Sequence, residues 1–171
     1  MGLEIITYPN KILKKVSKPV EKFDSELHKL LDDMYDIMIK NNGVGLAGIQ
    51  VAVPRRVLLI DIGDSEGNQS KDTLIEVINP EFLSWEGSIK DSEGCLSVPD
   101  YFDDVERYAN VKVKFYDRFG KEKIMDADGL LSVAFQHETD HLDGHLFIER
   151  LDYIKRKKFE KEWKKKLKQK R

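Results

Sequence analysis

The 171-residue chain reads as a single α+β domain in which antiparallel or mixed β-sheets pack around a central helix. Three features point that way. Val111, Val113 and Phe115 alternate with Lys112 and Lys114, and Asp117-Arg118-Phe119-Gly120 then turns the chain into Lys121 to Met125, the pattern of a hairpin with one buried face. Two internal stretches carry helical character, one after Asp24 and one around His137. No alternation of strand, helix and strand joins them, so a doubly wound parallel sheet is not expected.

Taken in order, Gly2 to Val20 holds short apolar pieces broken by Pro9 and Pro19 and reads as an irregular or extended arm. Asp24 or Ser25 can cap a core helix whose apolar positions are Leu27, Leu30, Leu31, Met34, Ile37 and Met38, with Asn42-Gly43 as its stop. His28 lies among charged residues in its first turns and is expected to be solvated. The next stretch, Gly43-Val44-Gly45-Leu46-Ala47-Gly48-Ile49-Gln50, carries three glycines in six residues and leaves room for a closely approaching chain. It is not a phosphate loop, because a helix precedes it and no Gly-Lys-Ser/Thr follows. Gln50 matters if its amide reaches a reacting carbonyl, where it could donate to a developing oxyanion. Arg56 to Ile62 and Leu74 to Ile78 read as strands, the second closing at Asn79-Pro80. Phe82 to Trp85 begins another and turns at Glu86-Gly87; Pro99 is expected to end the extended stretch around Gly94 and Cys95.

The chemistry concentrates in Gln136-His137-Glu138-Thr139-Asp140-His141-Leu142-Asp143-Gly144. On a helix, residues four apart project from one face, so His137 and His141 can grip one metal ion while Glu138 stands beside it as a base. That makes the central helix a metal-binding one. A thiolate from Cys95, beside the permissive Gly94, would complete three protein ligands and leave one position open, the layout of a catalytic site. Other third ligands fit poorly. Phe147 stands where a further His of the metzincin pattern would fall, His145 lies past the helix end at Gly144, and Glu160 and Glu162 sit in a lysine-rich tail. Asp140 is expected to support the helix, with Arg107 as its partner.

Composition narrows the classes. No run of about eighteen apolar residues exists, so no membrane span is expected. No basic and then apolar leader follows Met1, and the single cysteine excludes an internal disulfide framework, so a reducing cytosol is the expected compartment. The net charge of −2 hides an asymmetry: eleven of the 29 basic residues fall between Lys155 and Arg171 against only Glu160 and Glu162. Phe159, Trp163 and Leu167 recur every four residues there. The expected organisation is a catalytic region over residues 1–150 followed by a basic amphipathic helix over 151–171. That helix suits docking by its apolar stripe and attraction to a polyanion such as ribosomal RNA.

Three motifs standing in order, Gly43 to Gln50, Glu93-Gly94-Cys95-Leu96-Ser97 and Gln136 to His141, together resemble the peptide deformylase family, and the likeness spans most of the chain. The resemblance implies hydrolytic removal of the formyl group from N-formylmethionyl nascent polypeptides, with metal-activated hydroxide attacking the formyl carbon. By motif position it implies Cys95, His137 and His141 as metal ligands, Glu138 as general acid/base, and the Gln50 amide with the Leu96 backbone N–H as oxyanion donors. Gly43, Val44, Gly45 and Glu93 would contact the peptide, and Leu130, Val133 and Ala134 would shape the methionine pocket. It further implies one divalent metal per chain, Fe(II) in the cell with zinc or nickel forms also found, and contact of the C-terminal helix with the ribosome in some members. Oligomeric state is not legible. Two departures stand out: Gly48-Ile49 replaces a commoner Ala followed by Pro or Thr, and Phe102 stands where many members carry Arg. The competing expectations are a His-Glu-x-x-His metallopeptidase, which would not need Cys95, and a non-catalytic ribosome-binding relative, which would have lost a ligand or the base.

Overall fold

The structure, a computed structural model, describes residues 2–169, so Lys170 and Arg171 of the basic tail lie outside it. Helix α1 spans Ser25–Lys40, and the Asp24 side chain caps it by accepting from the Leu27 N–H at 3.0 Å. Its end is marked by Asn42, whose φ of 58° lets the chain reverse into Gly43. Seven strands follow: β1 Gly45–Ala47, β2 Val57–Ile60, β3 Ile75–Glu86, β4 Ile89–Cys95, β5 Val98–Arg107, β6 Asn110–Tyr116 and β7 Glu122–Asp128. They form a five-stranded antiparallel sheet in the order β1-β2-β3-β6-β7 and a separate β4-β5 hairpin. Helices α2, Gly129–Leu142, and α3, Tyr153–Gln169, complete the fold.

The continuous apolar run of β2 has a simple cause: both faces of the sheet are covered at this strand. Leu58 and Ile60 pack with Ala134, Phe135 and Leu142 of α2, whereas Val57 and Leu59 pack with Leu27, Leu31, Met34 and Met38 of α1. α2 is therefore enclosed, and nine of its side chains are buried, including the polar Gln136, Glu138 and His141. It ends where expected. Gly144, at φ 83°, carries the chain round so that the His145 N–H reaches the Asp140 carbonyl at 2.9 Å.

Two strand boundaries differ from those the sequence suggests. β3 does not stop at Asn79-Pro80: Asn79 takes a φ of 53° and its side chain exchanges two 2.9 Å bonds with the Val20 backbone. The ladder to β6 slips there and resumes at Glu81, so Pro80 sits in a bulge that needs no N–H. Pro99 likewise lies inside β5. The hairpin register passes from Cys95↔Val98 to Glu93↔Asp103, leaving Pro99 to Phe102 bulged over Gly94. His28 is half-buried, with Nε2 2.8 Å from the Arg118 carbonyl, and not solvated.

The basic tail is a docked helix. Phe159 of α3 is 1% exposed and packs with Leu13, Val98, Leu146 and Phe147, with Trp163 alongside it, while Leu167 stays 43% exposed. Tyr8 meets both rings, at 5.3 and 5.6 Å between centroids. No helix of the described residues is long and apolar enough to cross a membrane.

Candidate metal centre and active site

β4 brings Cys95 and α2 brings His137 and His141 to one point. The Cys95 sulfur lies 3.4 Å from His141 Nε2, which lies 3.3 Å from His137 Nε2, and one donor atom from each of the three falls within 4.8 Å of the others. His145 is outside the group and pairs at the surface with Glu149; Glu162 is exposed on α3.

The two imidazoles are held differently. His137 Nδ1 is 2.9 Å from Glu93 Oε1, which fixes its ring and points Nε2 at the cluster; Phe147 stacks at 5.9 Å. His141 Nδ1 is buried without a protein partner. Behind Glu93, the wholly buried Arg107 forks onto both carboxylate oxygens at 2.8 and 2.9 Å and extends its third nitrogen to Asp140 at 2.7 Å. Arg150 closes the far side of Asp140 with bonds of 2.7 and 2.9 Å. The Arg107–Asp140 contact is the one suggested by sequence. The larger role of Glu93 is not: it borders the cleft, but its carboxylate is occupied by Arg107 and His137.

Charge at the cluster favours a cation. Burial would push His137 down, yet Glu138, Cys95 and Glu93 hold it well above the usual histidine range. His141 is driven well below that range by burial and by His137 beside it. Burial raises Glu93 as well, but Arg107 and His137 override it and hold the carboxyl at about 2. Glu138 is pushed up to about 7, by burial first, with Glu93 and Asp140 adding and His137 and Arg107 opposing. Two imidazole nitrogens and a sulfur crowded this closely repel through their lone pairs unless a cation or proton lies between them. Two imidazoles and a thiolate suit zinc or iron, so the donor set fits a divalent metal.

Glu138 stands beside this cluster without being turned into it. Its Oε1 is 3.8 Å from His141 Nε2, and its other carboxylate oxygen faces Gly45 of β1, where an added Cβ would lie 2.7 Å from Oε2. A side chain at residue 45 would therefore crowd the Glu138 carboxylate. Gln50, buried in the 3-10 turn Gly48–Val51, is oriented at both ends: Oε1 accepts from the Ala47 N–H at 2.9 Å, and Nε2 donates to Ser97 Oγ at 3.0 Å and reaches Cys95 Sγ at 3.5 Å. The amide therefore presents its NH2 end to the cluster. Ser97, which sequence reading left without a role, orients the Gln50 amide; its only signal was membership of the Glu93–Ser97 motif.

A cleft of about 550 Å³ opens at the cluster, and Gly43, Val44, Gly45, Glu93, Leu96, Leu130, Val133 and Ala134 all line it with Cys95, His137 and Glu138. β1 is an edge strand, its far side unpaired in the sheet. An extended peptide could add there as a further strand.

Comparison with known proteins gives a consistent result. A family model described as polypeptide deformylase matches residues 2–157. The chain is 83% identical over 169 residues to a peptide deformylase of Nautilia profundicola, covering 99% of this chain and 97% of that protein. It is 56% identical over 169 residues to one of Campylobacter jejuni, covering 98% and 97%. Among solved structures, a peptide deformylase from Legionella pneumophila superposes with a TM-score of 0.88 at 39% identity, covering 100% of this chain and 99% of that one.

Proposed function

This chain belongs to the polypeptide deformylase family, and from that premise we propose that it hydrolyses the formyl group from N-formylmethionyl polypeptides by the residues gathered at the Cys95–His137–His141 cluster. The observation that carries this reading is the convergence of those three donors beside the separately held carboxylate of Glu138, in a cleft bordered by an unpaired strand edge.

Cys95, His137 and His141 would hold one divalent metal, Fe(II) in the cell with zinc or nickel as working substitutes. Such a metal supplies Lewis acidity, lowering the pKa of water from about 15.7 toward 7. Glu138 takes the proton of the attacking water and returns it to the departing amine, which needs a carboxylate near the metal but not on it. Gln50 Nε2 and the Leu96 backbone N–H donate to the formyl oxygen as charge develops there. Val44 and Gly45 pair with the extended peptide, Gly43 contacts it beside them, and Leu130, Val133 and Ala134 receive the methionine side chain. Glu93 serves by holding His137, with Arg107 and Asp140 behind it.

The protein acts in the cytoplasm, where formylated chains are made, and the lysine-rich face of α3 suits contact with ribosomal RNA. A His-Glu-x-x-His metallopeptidase reading makes a different prediction about ligands. Cys95→Ala is expected to lose its metal while Glu162→Ala keeps one per chain; the reverse pattern would favour the peptidase. Glu138→Gln is expected to keep its metal and lose most of its activity, and retention of most activity would overturn the acid/base assignment.

A further inference from the structure

The strand that borders the cleft is short, and part of its hold on the sheet comes from outside the strand. β1 is three residues long and pairs only with β2, in the register Gly45↔Ile60 to Ala47↔Leu58. Beyond Gly45 the pairing goes one bond further, from the Asp61 N–H to the Val44 carbonyl at 2.8 Å. There the side chain of Gln69 takes over. Its Nε2 donates to the Gly43 carbonyl at 2.9 Å and to the Asp61 carbonyl at 2.7 Å, so one amide joins the two chains where the ladder runs out. The Gly43 N–H is held as well, donating to the Met38 carbonyl at 2.9 Å.

Gln69 does not hang from a loose segment. The polar stretch between β2 and β3 that carries it is braced internally. The buried Asp61 carboxylate accepts from Thr73 Oγ1 at 2.6 Å and from the Gly63 N–H at 3.0 Å, and Asp64 Oδ1 accepts from the N–H groups of Glu66 and Asn68, both at 2.9 Å. Most of that stretch is exposed, whereas Gln69 is half-buried. Gly43, Val44 and Gly45 line the cleft, and Gln69 stands behind them.

Resting on the deformylase reading, we infer that Gln69 is a positioning residue for peptide binding: its amide fixes Gly43 and Val44 against the sheet, so that the strand edge is already extended when the formylated chain arrives. Strand addition needs main-chain groups held in line. With the clamp in place, that order belongs to the free protein. Without it, each peptide must order the segment as it binds, and the cost falls on affinity. The Gln69 amide bonds to backbone on the far side of β1 from the metal donors, so the chemical step and the metal keep their own supports.

The test compares the metal-loaded parent with Gln69→Met, which keeps length and bulk but has no donor, with Gln69→Glu, which sets a carboxylate against the two carbonyls, and with Asn68→Ala at the exposed neighbour. Formate release from formyl-Met-Ala-Ser gives kcat and KM, calorimetry gives the dissociation constant of the product Met-Ala-Ser, and hydrogen exchange follows the Asp61 amide. The expected result for Gln69→Met is a rise of about tenfold in both KM and the product dissociation constant, the scale set by losing ordinary hydrogen bonds. Its kcat should stay within about threefold of the parent with one metal per chain, since the loss is in binding. Its Asp61 amide should exchange faster, because the end of the ladder opens more often. Gln69→Glu should raise KM at least as far, and Asn68→Ala should match the parent. KM and product affinity that stay at parent values in both Gln69 variants would overturn the inference, whatever happens to their stability, because lowered stability alone is what a purely structural tie would give. A loss confined to kcat or to metal content would overturn it as well, and an equal rise in KM for Asn68→Ala would overturn the assignment to Gln69. All of these outcomes leave the deformylase reading intact. No formate from the loaded parent would overturn the proposed function and this inference with it.

Discussion

Gly45→Ala offers a sharp test of how the base is placed. The backbone at Gly45 is not in the left-handed region, so alanine brings no conformational strain; what it brings is a Cβ 2.7 Å from Glu138 Oε2 and 2.8 Å from its Cδ. Ordinary contact begins near 3.4 Å, so the carboxylate must retreat by roughly 0.7 Å. The end of a glutamate can swing, so the stability loss should stay near 1 kcal/mol, at the low end for overpacking. Function should suffer more, because in the proposed mechanism that end is the acid/base. Misplacing a catalytic group by about 1 Å can cost about 100-fold, which sets an expected loss of roughly 10 to 100-fold in kcat. The assay is steady-state formate release with metal content measured on the same sample, since Cys95, His137 and His141 are not touched by the change. A variant with one metal per chain and kcat within about threefold of the parent would refute the placement of Glu138.

Further perturbations probe the supports around the cluster. Gln50→Ala should lower kcat by about 100 to 1,000-fold with metal content unchanged, and Ser97→Ala, which removes one of the two bonds that aim the Gln50 amide, should produce a smaller loss of the same kind in kcat. Glu93→Gln should weaken metal affinity by about 10 to 100-fold, measured by competition with a chelator. The Glu93 carboxyl is held at about 2 against an ordinary 4.5, so its contribution to stability is complete above pH 4.5 and is lost as pH falls toward 2. Urea midpoints of parent and Glu93→Gln should therefore differ most above pH 4.5 and converge below it; a gap that persists at pH 2 would show another origin. Binding of the protein to ribosomes should weaken steeply with salt and with charge reversal of exposed lysines such as Lys158 and Lys161 of α3, and insensitivity to both would exclude an electrostatic contact.

The parts of the fold legible in sequence were those written in local periodicity. α1, the β6-β7 hairpin and the end of α2 at Gly144 follow from spacing, capping and turn residues. The strands misjudged were those in which a local stop signal is absorbed by tertiary structure. Asn79-Pro80 reads as a terminus until the Val20 backbone satisfies Asn79, and Pro99 reads as one until β5 bulges around it. At the site, motif positions supplied the three donors and Glu138. The contacts of Glu93 and Ser97 were hidden because their partners lie 14, 44 and 47 residues away, at Arg107, His137 and Gln50, and no local pattern encodes such a pairing.

The most direct test of the central claim is formate release from formyl-Met-Ala-Ser by protein purified without oxygen, with metal analysis of the same sample, since a thiolate-held Fe(II) is prone to oxidation. The account predicts formate at enzyme-like turnover with about one metal ion per chain. Bound metal without formate would contradict it.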